Sequence, residues 1–502
     1  MVGPSRPDTA QTDASTPTLI LPQYEAEKVL QIQSKAADDS NQDTELQSPV
    51  EKGNVREDAE WLENPAHPRN WRPRKKWSNM AIVSFYTFLP PLTSSMMAPG
   101  LPQIAEHFHE TNPTIIGMSL SITLLAWVFS PLIIAPLSEV YGRRWLYHIS
   151  NLLTLAFTLG SGIFGATPLA LGAGSVADLF AERDRASAMA MYTLGPLLGP
   201  IIGPVTGGFV VQSIGYKYVF IIIAAISGLL AVLSIPFMDE TYAPVLRMKY
   251  DMASGDPERA MNARRHLGPE VQLGQWKFLW NNLSRPVLLL TRSFICFVLS
   301  LYMALIYGIY YLMFATFTEL FTKTYGFGIG TSGLAYLGLG VGFLMAAVFS
   351  ARFSDKVYAH YQAKSDGVGK PEMRIPTLIV GSFFIPVGLF WYGWSAAAKL
   401  HWIMPIIGTG IFGFGLMTCF LPITLYLVDS FTYAASATSA TTVFRNLLGF
   451  VFPLFGTQMY EALGIGPGNS LLAGLAIVIG IPFPIWIWYK GEEIRSRNPL
   501  NR

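Results

Sequence analysis

The chain has 502 residues, of which 51% are hydrophobic and only 14% are charged, and its formal net charge is +2. This composition is too apolar for an ordinary soluble domain, and the charge balance gives no sign of a nucleic-acid partner. The two cysteines, Cys296 and Cys419, lie in apolar runs and cannot form a disulfide scaffold. The composition therefore predicts an integral membrane protein, and no pattern in the sequence predicts a metal site.

The N-terminal segment differs from the rest of the chain. Its first sixty residues are rich in Ser, Thr, Pro, Gln and Asp and show no sustained apolar periodicity. Such a segment cannot bury enough surface to offset its chain entropy, so we predict a disordered tail over residues 1–76. No basic region followed by an apolar core opens the chain, so we expect the first membrane helix to direct insertion.

From residue 77 onward, apolar stretches follow one another, most of them near the ~20 residues that a helix needs to cross a bilayer. They divide into two halves, 77–237 and 292–489, which are joined by a polar connector at 238–291 and followed by a tail at 490–502. The predicted spans are 77–98, 114–136, two short arms within 145–180, 188–211, 218–237, 292–318, 331–351, 375–395, 401–427, 434–458 and 470–489.

Basic residues are concentrated in alternate loops. The loops rich in Lys and Arg precede the first span, follow the second, precede the fifth, form the connector, follow the eighth and close the chain. The intervening loops hold at most one basic residue each. The positive-inside rule therefore places both termini and the connector in the cytoplasm.

This alternation requires two crossings between Arg144 and Arg183, where the chain is short. Residues 145–180 leave fewer than 20 residues for each crossing, with nothing for a turn. We therefore predict a compressed hairpin that turns near Gly160–Gly165. Its second arm is expected to be interrupted at Pro168 and at Gly172 or Gly174.

A ladder of small residues lies in the fifth span: Gly199, Gly203, Pro204, Gly207 and Gly208. It makes a poor helix in water, but in a bilayer small residues let neighbouring helices approach closely. A single GxxxG predicts only a kinked packing helix. The full ladder resembles the fifth-helix antiporter signature of the major facilitator superfamily, which indicates an exporter.

Further motifs occur in order along the chain and extend this resemblance to roughly residues 61–490. WLENPAHPRNWRPRKKW (61–77), SSMMAPGLPQIAEHF (94–108) and APLSEVYGRR (135–144) resemble segments of the fungal twelve-span drug:proton antiporters. The resemblance implies an all-α, polytopic fold of two pseudo-symmetric six-helix bundles. Members normally have a longer third-to-fourth-helix hairpin with an arginine in the fourth helix, whereas this chain has no Lys or Arg between Arg144 and Arg183.

The resemblance also assigns a latch at the turn after the second span. It implies that Glu139 lies against a helix N-terminus and that Arg143 or Arg144 pairs with Asp178, around a tight turn at Gly142. The alternative is plain anchoring of basic residues at the membrane surface. Arg352, Asp355 and Lys356 occupy the pseudo-equivalent place in the second half but form a degenerate copy.

Arg445 is the one basic residue that lies deep in a predicted span. A charge near mid-membrane is costly and indicates function, so Arg445 and Asn446 are candidates for contact with an anionic or carbonyl-bearing substrate. The alternative is a structural arginine that bonds to backbone carbonyls or pairs with Asp429. The aromatic residues of the seventh span either line the substrate cavity or pack against neighbouring helices: Tyr302, Tyr307, Tyr310, Tyr311 and Phe314.

The sequence therefore predicts an efflux transporter that exports amphipathic organic compounds, such as drugs, toxins or secondary metabolites, in exchange for protons. No catalytic motif or nucleotide site is present, so we expect no enzyme activity and no cofactor beyond the proton gradient. We expect a monomer in the plasma membrane whose partners are the small-molecule substrate and the lipid bilayer. No carboxylate lies deep in the first-half spans, so the sequence identifies no proton carrier, and His148 near Asn151 is interpreted as packing.

Two alternatives remain open. One is an uptake symporter of the same fold, although Asp239-Glu240-Thr-Tyr-Ala-Pro244 replaces the corresponding segment of sugar carriers. The other is a non-transporting or truncated membrane paralogue.

Overall fold

The computed structural model describes residues 60–156, 167–180, 182–254, 259, 263, 275–365, 369–431 and 434–496. Nearly all of these residues are helical, and most of the predicted tail, 1–59, lies outside them. Twelve helices of the described part form the bundle. They are α1 (Pro73–Met96), α2 (Pro113–Tyr141), α3 (Arg143–Ala156), α4 (Thr167–Leu179), α5 (Glu182–Ile214), α6 (Lys217–Phe237), α7 (Phe294–Tyr325), α8 (Ile329–Ala335 and Leu337–Phe349), α9 (Ile375–Ala397), α10 (Ile403–Ser430), α11 (Ala434–Leu463) and α12 (Ile465–Gly480 and Pro482–Ser496).

Eight of the described helices are long and apolar enough to cross a membrane: α2, α5, α6, α7, α8, α9, α10 and α12. Helices α1 and α11 are also long, with 24 and 30 residues, but carry more polar side chains. Helices α3 and α4 have only 14 and 13 described residues. These two helices are the arms of the hairpin that the sequence predicts to be shortened.

This hairpin begins and ends at the same face of the bundle. Arg143 Nε, in the first residue of α3, lies 2.8 Å from Asp178 Oδ2 near the end of α4. The predicted turn at Gly160–Gly165 lies outside the described residues. The predicted interruption of the second arm is wrong, because α4 runs through Gly172 and Gly174 and carries Pro168 in its first turn, where proline is tolerated.

We call the bundle end that holds the starts of α1 and α3 and the ends of α4, α6 and α12 the connector face, and the opposite end the far face. On the connector face, Lys75 at the start of α1 lies 3.0 Å from Asp239 just after α6. On the far face, Gln458 Nε2 donates to Thr114 Oγ1 at 2.8 Å, and the Gly330 N–H donates to Gln212 Oε1 at 2.6 Å. These two far-face bonds each join one half of the chain to the other.

The glycine ladder brings α5 against α1. Glycines four residues apart lie on one helix face, and a Cβ at Gly199, Gly203 or Gly207 would collide with atoms of α1. The Ser95 hydroxyl of α1 uses this proximity to donate to the Gly199 carbonyl at 3.0 Å. The ladder is therefore a contact between two backbones within the first half.

Gly208 lies on a different face of α5 and meets the second half. A Cβ there would lie 2.9 Å from the Ile329 carbonyl at the start of α8, and the Pro204 carbonyl lies against Gly333 of the same helix. Across the bundle, Gly117 of α2 approaches the Pro453 carbonyl of α11 in the same way. The contacts α1–α5 and α7–α11 within the halves, and α5–α8 and α2–α11 between them, give the fold its pseudo-symmetry.

Adding one carbon atom to the ladder tests this packing. In Gly207→Ala the new Cβ would overlap the Met96 carbonyl, which belongs to the backbone and cannot rotate away. We expect a loss of stability of about 1–3 kcal/mol, as for other overpacked cores, measured as a lower thermal unfolding temperature in detergent.

Gly474→Ala is the matched control, because a Cβ at Gly474 in α12 meets no atom within 4 Å. It should unfold at or slightly above the wild-type temperature, since alanine is the better helix former. Equal unfolding temperatures for the two variants would contradict the ladder contact.

Candidate functional site

A buried carboxylate organises the turn between α2 and α3. Glu240, three residues after the end of α6, accepts from the backbone N–H of Arg143 at 2.8 Å and of Arg144 at 3.2 Å. It also accepts from the N–H of Thr241 and Tyr242, so the N-terminus of α3 receives an anion where its unpaired donors favour one. Gly142 makes this approach possible, because its φ is +88° and a Cβ there would overlap the Glu240 carboxylate.

Arg143 crosses from α3 to α4. Its guanidinium donates to the Leu171 carbonyl at 2.8 Å and forms the ion pair with Asp178. Gly174 lies beneath it, where a Cβ would overlap the guanidinium, and the ring of Tyr242 lies 5.5 Å from Arg143 Cζ. The structure therefore brings Arg143 and Asp178 together as the resemblance implies, and their role as a latch stays a prediction.

The other two latch candidates lie around this pair. Arg144 donates to the Ile235 carbonyl near the end of α6 at 3.2 Å, which joins the start of α3 to α6. Glu139 is exposed and lies within electrostatic range of the Tyr242 hydroxyl. The carboxylate seen at the N-terminus of α3 is Glu240, which sequence reasoning did not place there.

The second half repeats the arrangement with different residues. Arg374, just before α9, lies 2.7 Å from Asp429 near the end of α10, and its guanidinium lies 4.7 Å from the ring of Tyr358. Glu372 accepts from Arg495 at the end of α12 at 3.2 Å. The pseudo-equivalent of Arg143–Asp178 is therefore Arg374–Asp429 rather than the segment around Arg352.

Arg445 lies in the middle of α11. It follows Ala434 by eleven residues, which is about 16 Å along the helix and close to half of a ~30 Å hydrocarbon layer. Its guanidinium carbon is 4.7 Å from the ring of Tyr307 and 5.4 Å from that of Phe420. Asp429 is occupied by Arg374, so the interpretation of Arg445 as its partner is wrong.

Two polar atoms at this level are buried without a hydrogen-bond partner among the described residues. They are Nε of Arg445 and Oδ1 of Asn446, one donor and one acceptor on neighbouring residues. Buried polar atoms are nearly always satisfied in native structures, so an unpaired donor in mid-membrane calls for a ligand or water.

The aromatic residues of α7 divide into two groups. Tyr307 and Tyr311 share a face, with ring centroids 5.1 Å apart, and the Tyr311 hydroxyl reaches 3.4 Å from Ser94 Oγ of the first half. Tyr302 instead packs inside the second half, where its hydroxyl lies 3.8 Å from Cys419 Sγ and its ring lies against Gly480. Tyr302 is therefore a core residue rather than a cavity residue.

A small cavity of about 20 Å³, room for about one water molecule, lies inside the first half, between α1, α2, α3 and the start of α4. Its lining carries no charged side chain and is mostly apolar, with Leu89 and Trp127 beside Tyr86, Ser150 and Asn151. It is too small to hold an organic substrate in this conformation.

A family model with the description Major Facilitator Superfamily matches residues 83–453 of the chain. The chain belongs to the major facilitator superfamily. It is accordingly a multi-pass membrane transporter and not an enzyme, and the predicted all-α, two-bundle fold is confirmed.

Curated relatives cover most of the chain. "MFS transporter cpaT" of Aspergillus oryzae is 43% identical over 453 residues, which cover 87% of this chain and 90% of that protein. "MFS-type transporter penM" of Penicillium rubens is 41% identical, covering 86% and 88%. "Efflux pump radE" of Floropilus chiversii is 39% identical, covering 86% and 84%.

Solved structures share the fold at low identity. The xylose transporter XylE from E. coli, in a partially occluded inward-open conformation, matches with a TM-score of 0.57 and 14% identity, covering 83% of this chain and 98% of that one. A POT family transporter in complex with 5-aminolevulinic acid gives a TM-score of 0.56 at 14% identity, covering 84% and 97%.

The Arg143–Asp178 pair provides a prediction. Its side chains are only 12% and 15% exposed, so Asp178→Asn leaves the Arg143 charge largely buried and without its counter-ion. We expect a loss of about 3 kcal/mol or more of stability, measured by thermal unfolding, and partial recovery in the double variant Arg143→Leu/Asp178→Asn.

The exposed pair Glu319–Lys323 is the matched control, since its side chains are 40% and 76% exposed. Glu319→Gln should cost less than about 1 kcal/mol. If Asp178→Asn loses no more stability than this control, the buried pair does not stabilise the fold more than an exposed pair does.

Proposed function

We propose that this transporter exports amphipathic organic compounds in exchange for protons, by alternating access between the two halves. The observation that carries the proposal is the mid-membrane group of Arg445, Tyr307 and Phe420, in which a guanidinium lies between two rings with Nε unpaired. Such a group suits a ligand that combines a flat apolar body with a carbonyl or carboxylate. The efflux pump named among the relatives supports the direction of transport.

In the proposed mechanism, the two halves of the chain move relative to each other. The halves meet through the paired helices α5–α8 and α2–α11, and glycines at these contacts let backbones slide past each other at close range. Tyr307 and Arg445 belong to the second half, and Ser94 beside Tyr311 belongs to the first, so the group lies where the two halves meet. A substrate bound there contacts both halves and is exposed to either side as they rock.

We further propose that the connector face is cytoplasmic. The basic residues that the structure describes at this face include Lys75, Arg143, Arg374 and Arg495, and the positive-inside rule favours the cytoplasmic side for such a face. The protein then operates in the plasma membrane as a monomer, without a cofactor, with the proton gradient as driving force.

Direction-resolved transport tests the function. Inside-out vesicles with an acidic lumen should accumulate an amphipathic dye such as carboxyfluorescein or rhodamine 6G, because protons leave the lumen as the dye enters it. Accumulation only in right-side-out vesicles with an acidic exterior would support the uptake symporter. A flat trace in both would support the non-transporting paralogue.

Arg445→Lys tests the site. Lysine keeps the charge but loses the planar fork and its stacking on Tyr307, so we expect the rate ratio of the two dyes to change about fivefold, as for ~1 kcal/mol of cation–π contact. Arg74→Lys, at an exposed position of α1, is the control and should leave the ratio unchanged. A variant with the wild-type ratio and merely lower abundance would support a structural role for Arg445.

The glycine ladder gives a separate test of the antiporter hypothesis. Gly203→Val should abolish export while the protein still reaches the membrane, since its Cβ would overlap Ser95 Oγ and press α5 away from α1. Export at the wild-type rate in this variant would remove the support that the ladder gives to the antiporter.

A further inference from the structure

The charged side chains of the first half lie at the ends of its helices. In α1 to α6 every Asp and Glu lies in the first or last turn: Glu139, Asp178, Glu182 and Asp184. Exchange for protons requires a group that binds and releases one within the membrane. Among the described residues of these six helices, the side chain that titrates near neutral pH and lies away from an end turn is His148, the sixth residue of α3.

His148 is bonded through one ring nitrogen only. Its Nδ1 lies 3.3 Å from Ser234 Oγ of α6, whereas Nε2 is buried and has no hydrogen-bond partner among the described residues. A packing histidine normally has both nitrogens satisfied when they are buried, so the free nitrogen needs an explanation.

The position of the Ser234 hydroxyl proton decides which nitrogen is basic. Ser234 Oγ lies 2.9 Å from the Ala231 carbonyl, which can only accept, and 2.7 Å from Tyr86 OH, where either hydroxyl can donate. With the Ser234 proton directed to the Ala231 carbonyl, Tyr86 donates to Ser234 Oγ and His148 donates to it from Nδ1–H. The lone pair that remains on the neutral ring is at Nε2, the nitrogen without a partner.

The same bonds connect the ring to the cavity of the first half. Asn151 Nδ2 donates to Tyr86 OH at 3.3 Å and to the Ser227 carbonyl at 3.0 Å. Tyr86 and Asn151 both line the cavity, while His148 lies behind them. A charge gained by the ring polarises Ser234 and Tyr86 in turn, so the cavity senses the protonation state.

A cleft at the connector face comes within one helical turn of the ring. Its volume is about 720 Å³, and its lining includes Arg144, one turn before His148 on α3, whose guanidinium donates to the Ile235 carbonyl of α6. His148 itself lies five residues into α3, about 7.5 Å along the helix from its first residue.

The charged and titratable groups around the ring are few. Arg144 acts on it electrostatically from α3 itself, Tyr86 faces it through Ser234 from α1, and α6 carries only Lys217 and Tyr218, at its far-face end. At the connector-face ends of the other neighbours, Glu139 of α2 is exposed, and Asp178 of α4 is paired with Arg143.

We infer that His148 is the proton-binding residue of the transporter: Nε2 accepts a proton from one side of the membrane and releases it to the other, and the chain Ser234–Tyr86–Asn151 couples its charge to the first-half cavity. This inference rests on the proposed proton exchange. The step makes and breaks a single N–H bond, because the proton adds to the Nε2 lone pair and leaves from the same atom.

The first arm of the test measures the ring directly. Full-length protein with ¹⁵N-labelled histidine is placed in lipid nanodiscs, and the His148 signals are assigned by their loss in His148→Gln. We expect a neutral ring protonated at Nδ1 at pH 8 and a cation at pH 5. A ring that stays neutral throughout this range, or is protonated at Nε2 at pH 8, would overturn the inference.

The second arm measures coupling in proteoliposomes with carboxyfluorescein and rhodamine 6G as probes. His148→Gln should lower transport driven by a pH gradient at least tenfold, while exchange of dye across the membrane at equal pH stays within about twofold of wild type. His360→Gln, at an exposed histidine of the helix Asp355–Lys364, is the control and should match wild type in both modes.

The two measurements distinguish a failure of the proposed function from a failure of the inference about His148. If wild-type protein transports neither dye against a gradient, the proposed function fails, and the labelled ring still decides whether His148 binds a proton. If wild type is driven by the gradient and His148→Gln is driven equally well, the proposed function stands and the inference about His148 is wrong. Loss of both gradient-driven transport and exchange would also contradict it, since a proton carrier alone is not needed for exchange.

Discussion

The constraint that shapes this molecule is the cost of placing charge in hydrocarbon. The structure meets it by placing charges at helix ends and by pairing the buried ones at the connector face: Arg143 with Asp178, Arg374 with Asp429, and Glu372 with Arg495. Glu240 accepts from the N-terminus of α3 beside the first of these pairs. Each pair joins the start of one helix to the end of another. The same ion pairs therefore neutralise the buried charges and hold the helix ends together. The bundle interior is then left mostly to neutral residues, so that a charged or basic side chain there stands out.

The basic side chains inside the bundle, Arg445 and His148, differ in their chemistry between the two halves. In the second half Arg445 is a permanent charge held between aromatic rings, and no proton equilibrium near neutral pH can change it. In the first half His148 is a neutral ring in a network of hydroxyls and an amide. One half therefore offers a fixed charge that suits a ligand, and the other offers a group that can change its charge. The proposed substrate group meets the first half at Tyr311 and Ser94, and the proposed proton site lies inside that half, so motion of the halves in alternating access can couple the two sites.

Much of the fold could be predicted from the sequence because the bilayer fixes the length of a span, and the Lys and Arg pattern fixes the parity of crossings. The glycine ladder predicted a close helix–helix contact. It did not predict that α1 is the neighbour, because the small residues of one helix do not specify which helix packs against them. Glu240 and Arg143 are 97 positions apart, so no local pattern reveals their contact. The misplacement of Tyr302 was avoidable: nine residues separate it from Tyr311, which is about 180° around a helix, whereas four residues separate Tyr307 from Tyr311.

The short hairpin makes the halves unequal despite their shared plan. Helices α9 and α10 have 23 and 28 residues and pack along their length, whereas their counterparts α3 and α4 have 14 and 13 described residues. The first-half cavity is lined by α3 and by the start of α4. The polar side chains at this cavity also bond to neighbouring helices, Ser150 to Thr167 of α4 and Asn151 to Tyr86 of α1. The hydrogen bonds that start at His148 end at this cavity, so the hairpin and the proposed proton site lie in the same part of the molecule.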